Sequence, residues 1–210
     1  MIALCPTCRQ VVPPAGECCP ACGVDFAALR LIGRETVVHE AEAYLAARRS
    51  VLLVGPAGSG KTAVIGQIQR EGLLVVDPFA RITTPRAAAL RRALDRGAII
   101  LGAARSLDRK EMGHVGRIAW RFDRVYLRPL PPRDILRIVR ATLDGEGATD
   151  LAPDRQWRSE AIDVAAGLPG RAVALASVAA LRWRQRGALV PPRFALVIAG
   201  QDASPPGQRC

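Results

Sequence analysis

The sequence predicts an α/β fold, a parallel sheet sandwiched by helices and built on a phosphate-binding loop. Three observations predict it. The apolar run Val51-Leu52-Leu53-Val54 leads straight into Gly55-Pro56-Ala57-Gly58-Ser59-Gly60-Lys61-Thr62, which fills every position of the G-x-x-x-x-G-K-[ST] pattern in a strand-to-helix context. Further short apolar runs then alternate with helical stretches. Two C-x-x-C pairs crowd the first 22 residues and set a small unit apart from the rest.

That unit comes first in the chain. Cys5-Pro6-Thr7-Cys8 and Cys19-Pro20-Ala21-Cys22-Gly23 have the spacing of a zinc ribbon over residues 1–28. Each pair offers two thiolates to one tetrahedral ion, and Gly23 lets backbone N–H groups turn toward the sulfurs. The expected Zn²⁺ ligands are Cys5, Cys8, Cys19 and Cys22, with Val11 to Gly16 as the short hairpin. Cys18 is spare and Cys210 stands alone. A disulfide pair or a redox C-x-x-C is the competing reading, opposed by the doubled motif. A unit this small has no core without its metal. Whether it holds DNA, protein or only itself is left open by the spacing.

Ile32-Gly33-Arg34-Glu35 precedes a helix over Thr36 to Arg49, with Val37, Val38, Ala41, Tyr44 and Leu45 on one face. In the loop that follows the first strand, glycines let consecutive N–H groups turn inward around a phosphate. Lys61 supplies charge to the β/γ-phosphates, and the Thr62 hydroxyl is placed for Mg²⁺. A tetrapeptide of this kind, a helix, an apolar strand and then the loop resemble the opening of an AAA+ ATPase. The resemblance spans about residues 30–187. It implies an ATPase core over 30–130, a helical lid over 131–190, and a C-terminal segment and tail over 191–210. It also implies that Ile32 and Gly33 border the adenine, while Pro56, Ala57, Gly58, Ser59, Gly60, Lys61 and Thr62 hold the phosphates of ATP.

Leu73-Leu74-Val75-Val76-Asp77 is similar to the Walker B strand of that family, which makes Asp77 the carboxylate on the Mg²⁺ side with Thr62. One residue later the family has a water-orienting glutamate and this chain has Pro78, so hydrolysis is expected to be weak or partner-stimulated. AAA+ sheets run 5-1-4-3-2. Only one strand lies between the loop and Asp77, so the edge strand 2 is expected to be missing, where a deletion disturbs one neighbour only.

Thr84-Pro85 starts a helix that runs to Arg96, with Gly97 as its stop. Ala98 to Leu101 is the next strand, followed by Arg105 and Ser106 at the family's sensor 1 position. Arg117-Ile118-Ala119-Trp120-Arg121-Phe122-Asp123 precedes the strand Val125 to Leu127. The resemblance implies an arginine finger there, Arg121 before Arg117, reaching a neighbouring subunit's γ-phosphate. Helices are expected from Pro131-Pro132, from Ser159 and from Ala172 to Arg186, with 145–153 a linker. Arg171, after Gly167-Leu168-Pro169-Gly170, resembles sensor 2. Phe194 to Ile198 is expected to be a last strand or a docking segment, and 204–210 a disordered tail.

Composition narrows the function classes. No apolar stretch reaches a membrane span and no signal peptide opens the chain, so a cytoplasmic protein is expected. The formal charge of +11 suits an anionic partner, although 28 of the 30 basic residues are arginine and asparagine is absent, a skew that also follows from codon usage. Without asparagine there is no Asn-Lys-x-Asp reader of guanine. Aromatic residues make up 4% of the chain, which argues against a stacking surface for single strands and leaves arginine contacts to a duplex backbone. The resemblance is closest to initiator, helicase-loader and transposition-regulator ATPases. It implies a homo-oligomer that assembles on duplex DNA with ATP and recruits an effector such as a transposase or helicase. The alternatives are a nucleotide-binding scaffold without turnover and a small P-loop kinase.

Overall fold

The computed structural model describes residues 3–4, 11–12, 31–68, 72–79 and 82–202. At the start, β1 (Ala3–Leu4) pairs antiparallel with β2 (Val11–Val12). Of the expected hairpin over Val11 to Gly16, residues 13–16 lie outside the described residues. Cys5, Cys8, Cys19 and Cys22 lie outside the described residues. So does the tail, 204–210.

α1 (Glu35–Ala46) buries Val37, Ala41 and Leu45, the i, i+4, i+8 stripe of one helix face. The main sheet has four strands: β3 (Val51–Val54), β4 (Leu73–Val76), β5 (Ile99–Ala104) and β6 (Asp123–Tyr126), in the order β4-β5-β3-β6. β5 pairs parallel with both β3 and β4. This is the 5-1-4-3 part of the expected order with no strand beyond β4 among the described residues. Leu74 and Val75 are 41% and 37% exposed, as residues of an edge strand are.

Helices cover the two faces of the sheet. Val51 to Val54 are all buried, and their side chains alternate between the faces. α1 packs on β3, and α2 (Lys61–Gln67) packs on β5. On the other face Leu52, Val54, Ile100 and Ala104 meet Ala87, Leu90 and Leu94 of α3 (Thr84–Asp95). They are joined by Met112 from the short α4 (Arg109–Met112), by Val115 from the 3₁₀ turn Gly113–Arg117, and by Phe122 after the second turn, Ala119–Arg121. Phe79 is fully buried edge-on to Phe122, with ring centroids 4.9 Å apart. A Cβ on Gly102 would lie 2.8 Å from the Phe79 ring and 3.0 Å from Leu52, so this strand position admits only glycine without repacking. α3 starts one residue before the expected proline-led turn, with Thr83 and not Thr84 as its N-cap.

A second unit takes in Tyr126 onward, together with the loop residues Gly55–Gly60. Its helices are α5 (Pro132–Gly145), α6 (Arg155–Ala165), α7 (Pro169–Arg186) and α8 (Pro192–Asp202). α7 is central and packs on the other three through small residues, with Ala172, Ala176, Ala179 and Ala180 all fully buried. α6 begins four residues before Ser159, because the Asp154 carboxylate accepts from the Trp157 N–H at 2.7 Å and caps it. Phe194 to Ile198 is not a strand. It lies in α8, started by Pro192, with Ala195 buried and Phe194 and Val197 at 65% and 57% exposed. A five-residue apolar run has no period that separates the two structures. No helix among the described residues is long and apolar enough to cross a membrane.

Candidate functional site

The sheet brings three of the sequence-selected residues together at the carboxyl ends of its strands, where α/β sheets bind ligands. β4 ends at Val76, so Asp77 is the first residue past the sheet. Thr62 is the second residue of α2, and its hydroxyl donates to Asp77 Oδ2 at 2.7 Å. Lys61 starts the same helix in a half-buried position. Burial pushes its ammonium below its ordinary pKa; Asp77 opposes the shift, and Arg105 reinforces it. Arg105 follows Ala104, the last residue of β5, which is in register with Val54 of β3. It is a second cation acting on Lys61, which sequence reasoning ranked beside Ser106. The Ser106 hydroxyl accepts from the Asp108 N–H at 3.0 Å in the turn that follows.

Thr62 and Asp77 suit a hard cation. Two adjacent ligands of an octahedral Mg²⁺, each 2.0–2.1 Å from the metal, stand about 2.9 Å apart. Thr62 Oγ1 and Asp77 Oδ2 are already 2.7 Å from each other, both are oxygens, and one is anionic. After Asp77 the chain offers no carboxylate: Pro78 is exposed and Phe79 turns into the core, its N–H donating to the Ala103 carbonyl at 2.7 Å.

The loop residues are described within the helical unit. Pro56, Ala57 and Gly58 are exposed, Gly60 is half-buried, and Gly58 and Gly60 have φ of 77° and 96°, the left-handed region that glycine enters freely. Ser59 is fully buried, its N–H donating to the Pro56 carbonyl at 3.2 Å, and a Cβ on Gly55 would come within 2.8 Å of its hydroxyl. Ser59 therefore shapes the loop from inside, a role that the motif pattern does not reveal. Gly170, the second residue of α7, donates its N–H to the Gly58 carbonyl at 2.8 Å. A Cβ on Gly170 would lie 2.8 Å from Gly58 Cα. Arg171, exposed, comes next in the chain, so the start of α7 rests on the phosphate loop backbone to backbone.

Ile32 and Gly33 form the half-buried turn before α1, with Gly33 at φ 71° and its N–H donating to the Glu35 carboxylate at 3.3 Å. Arg34 beside them is only 4% exposed, and burial lowers its pKa. Arg121 is not brought to Lys61, Thr62 and Asp77. It lies before β6, at the opposite ends of the strands, paired with Asp95 at 2.5 Å.

No protein-family model and no curated protein matches the chain. Among solved structures it is similar to the RuvB Holliday junction branch migration motor of Thermotoga maritima, with a TM-score of 0.53 at 16% identity over 81% of this chain and 70% of that one. Two other structures of Thermotoga maritima RuvB match over the same shares, at TM-scores of 0.53 and 0.51 and identities of 16% and 15%. The chain thus has the P-loop α/β fold of the AAA+ type that the order β4-β5-β3-β6 describes.

Proposed function

We propose that this chain is an ATP-binding AAA+ protein that assembles on duplex DNA in its ATP state and acts through an effector bound there. The observation that carries the reading is the 2.7 Å pair of Thr62 and Asp77 at the carboxyl edge of the sheet, beside Lys61 and directly after a complete phosphate loop. The loop N–H groups and Lys61 hold the β/γ-phosphates; Arg105 adds a second cation and Arg171 a third, while Ile32 and Gly33 border the base. Thr62 and Asp77 hold Mg²⁺, which neutralises phosphate charge when bound. Arg121, at the far ends of its own strands, serves only a neighbouring chain's nucleotide. One of the similar RuvB structures is that of a Holliday junction branch migration motor, and together with the +11 charge this supports nucleic acid as the track. Cys5, Cys8, Cys19 and Cys22 bind one zinc ion, and the protein works in the cytoplasm.

Calorimetry with ATP and Mg²⁺ tests the core of this reading. Lys61→Ala is expected to abolish most binding, and unchanged affinity would overturn it. A second reading, a nucleotide-dependent scaffold with no turnover, is favoured by Pro78 and the buried Phe79 in place of a water-orienting acid. Phosphate release with and without duplex DNA separates the two.

A further inference from the structure

The amino ends of the strands carry a second feature. The turns that feed β3, β5 and β6 line a groove of about 410 Å³ at the opposite ends of the strands from Asp77 and Arg105. Ser50 ties these turns together: its carbonyl accepts from the Asp123 N–H at 2.9 Å and its hydroxyl from the Ile100 N–H at 3.0 Å. Arg48, Arg49 and Arg121 line the groove, and Arg96 is exposed on the turn that feeds β5. The two carboxylates present are already engaged, Asp123 by Arg49 and Asp95 by Arg121. Arg48 has no ion pair among the described residues, so the groove keeps an excess of positive charge.

Trp120 stands in this groove 74% exposed. The other two tryptophans satisfy their indole N–H groups, Trp157 on the Val190 carbonyl at 2.8 Å and Trp183 on Asp150 at 3.2 Å. Trp120 has no such partner among the described residues. An exposed indole in one groove with the Arg48 guanidinium, which has no ion pair among the described residues, suits a ligand with flat rings joined by phosphates. A second copy of this chain is a poorer occupant, since its surface is on average as basic as this one. A duplex keeps its bases stacked and offers the indole none.

We propose that this groove binds single-stranded nucleic acid, with Trp120 stacking on one base and Arg48 and its neighbours taking the flanking phosphates. The site requires neither the nucleotide nor the duplex contact proposed above. The full chain, without nucleotide, is titrated at low salt into labelled oligothymidylate and oligouridylate of about 15 nucleotides, long enough for a stacking groove. Binding of either is expected, with quenching of tryptophan fluorescence. Trp120→Ala should weaken it about tenfold or more, and Trp120→Phe should restore most of the loss. Because Trp120 is exposed, both variants should keep the parent's circular dichroism. Arg48→Ala should lower the slope of log K against log salt by about 0.7. Lys61→Ala should bind as the parent does, which separates this site from the ATP site. Four results would overturn the proposal: no binding at low salt, unchanged affinity in Trp120→Ala, equal competition by a duplex of the same length, or loss of self-association alone in Trp120→Ala, which would assign the face to a second copy.

Discussion

Lys61 is half-buried, and the phosphate cluster proposed to bind there would compensate its charge. Without ligand the charge is a burden. Its folded pKa lies below the ordinary 10.5, so the charged form disfavours the fold at neutral pH, and that penalty is released as pH rises through the folded pKa. Removing a like charge favours the charged form. Arg105→Ala should therefore raise the Lys61 pKa and Asp77→Asn should lower it further, both followed by NMR titration of the Lys61 side chain. If Arg105→Ala leaves that titration unmoved, Arg105 does not act on the phosphate site. Gly170 makes an equally specific demand. Alanine is the better helix former by about 1 kcal/mol, yet its Cβ would meet Gly58 Cα at 2.8 Å, where only backbone can give way. Gly170→Ala should weaken ATP binding about tenfold, roughly 1.4 kcal/mol, with helix content unchanged. Parent affinity by calorimetry would show that the start of α7 does not shape the loop.

Among the elements, β5 is the one the sheet cannot spare. It lies between β3 and β4, delivers Arg105, and at Gly102 makes room for the Phe79 ring that turns the chain inward after Asp77. Overpacking at such a point costs about 1–3 kcal/mol. Gly102→Ala should lower the melting temperature by about 2–4 °C per kcal/mol for a chain of this length. It should also weaken ATP binding, because Phe79 and Asp77 are two residues apart. A full loss of stability with ATP affinity kept would show that the Phe79 turn and the carboxylate move independently. β4 is less constrained: its edge lacks a further strand among the described residues, which agrees with the loss of an edge strand being tolerated.

For the molecule as a whole, the proposed functions meet at Arg121. It lines the groove assigned to a single strand and is also the arginine proposed to reach a neighbour's nucleotide. One face cannot serve both at once. Saturating oligothymidylate should therefore reduce ATP-dependent assembly on duplex DNA, measured by light scattering, in the parent and not in Trp120→Ala. Equal assembly in the presence and absence of the oligomer would separate the two faces. Metal analysis of the full chain should find about one zinc, lost in Cys8→Ser.

The phosphate loop, the strand that precedes it, and Asp77 at the end of β4 were legible in the linear sequence. They are local: a motif of eight residues, a four-residue apolar run and an acid at its end need no distant partner to be recognised. The α1 face was legible for the same reason, whereas α7 was expected from Ala172 and starts three residues earlier, at Pro169. Other features depend on residues far apart in the chain. The 2.7 Å pairing of Thr62 with Asp77, the seat of Phe79 over Gly102 and the contact of Gly170 on Gly58 arise only when elements pack. The helical state of Phe194 to Ile198 follows from docking on α6 and α7, since an unbroken apolar run carries no period of its own. Composition counted few aromatic residues and gave no place for them. Folding put Trp120 among arginines from two separate turns, because parallel strands bring their amino ends, and the turns that feed them, to one edge of the sheet.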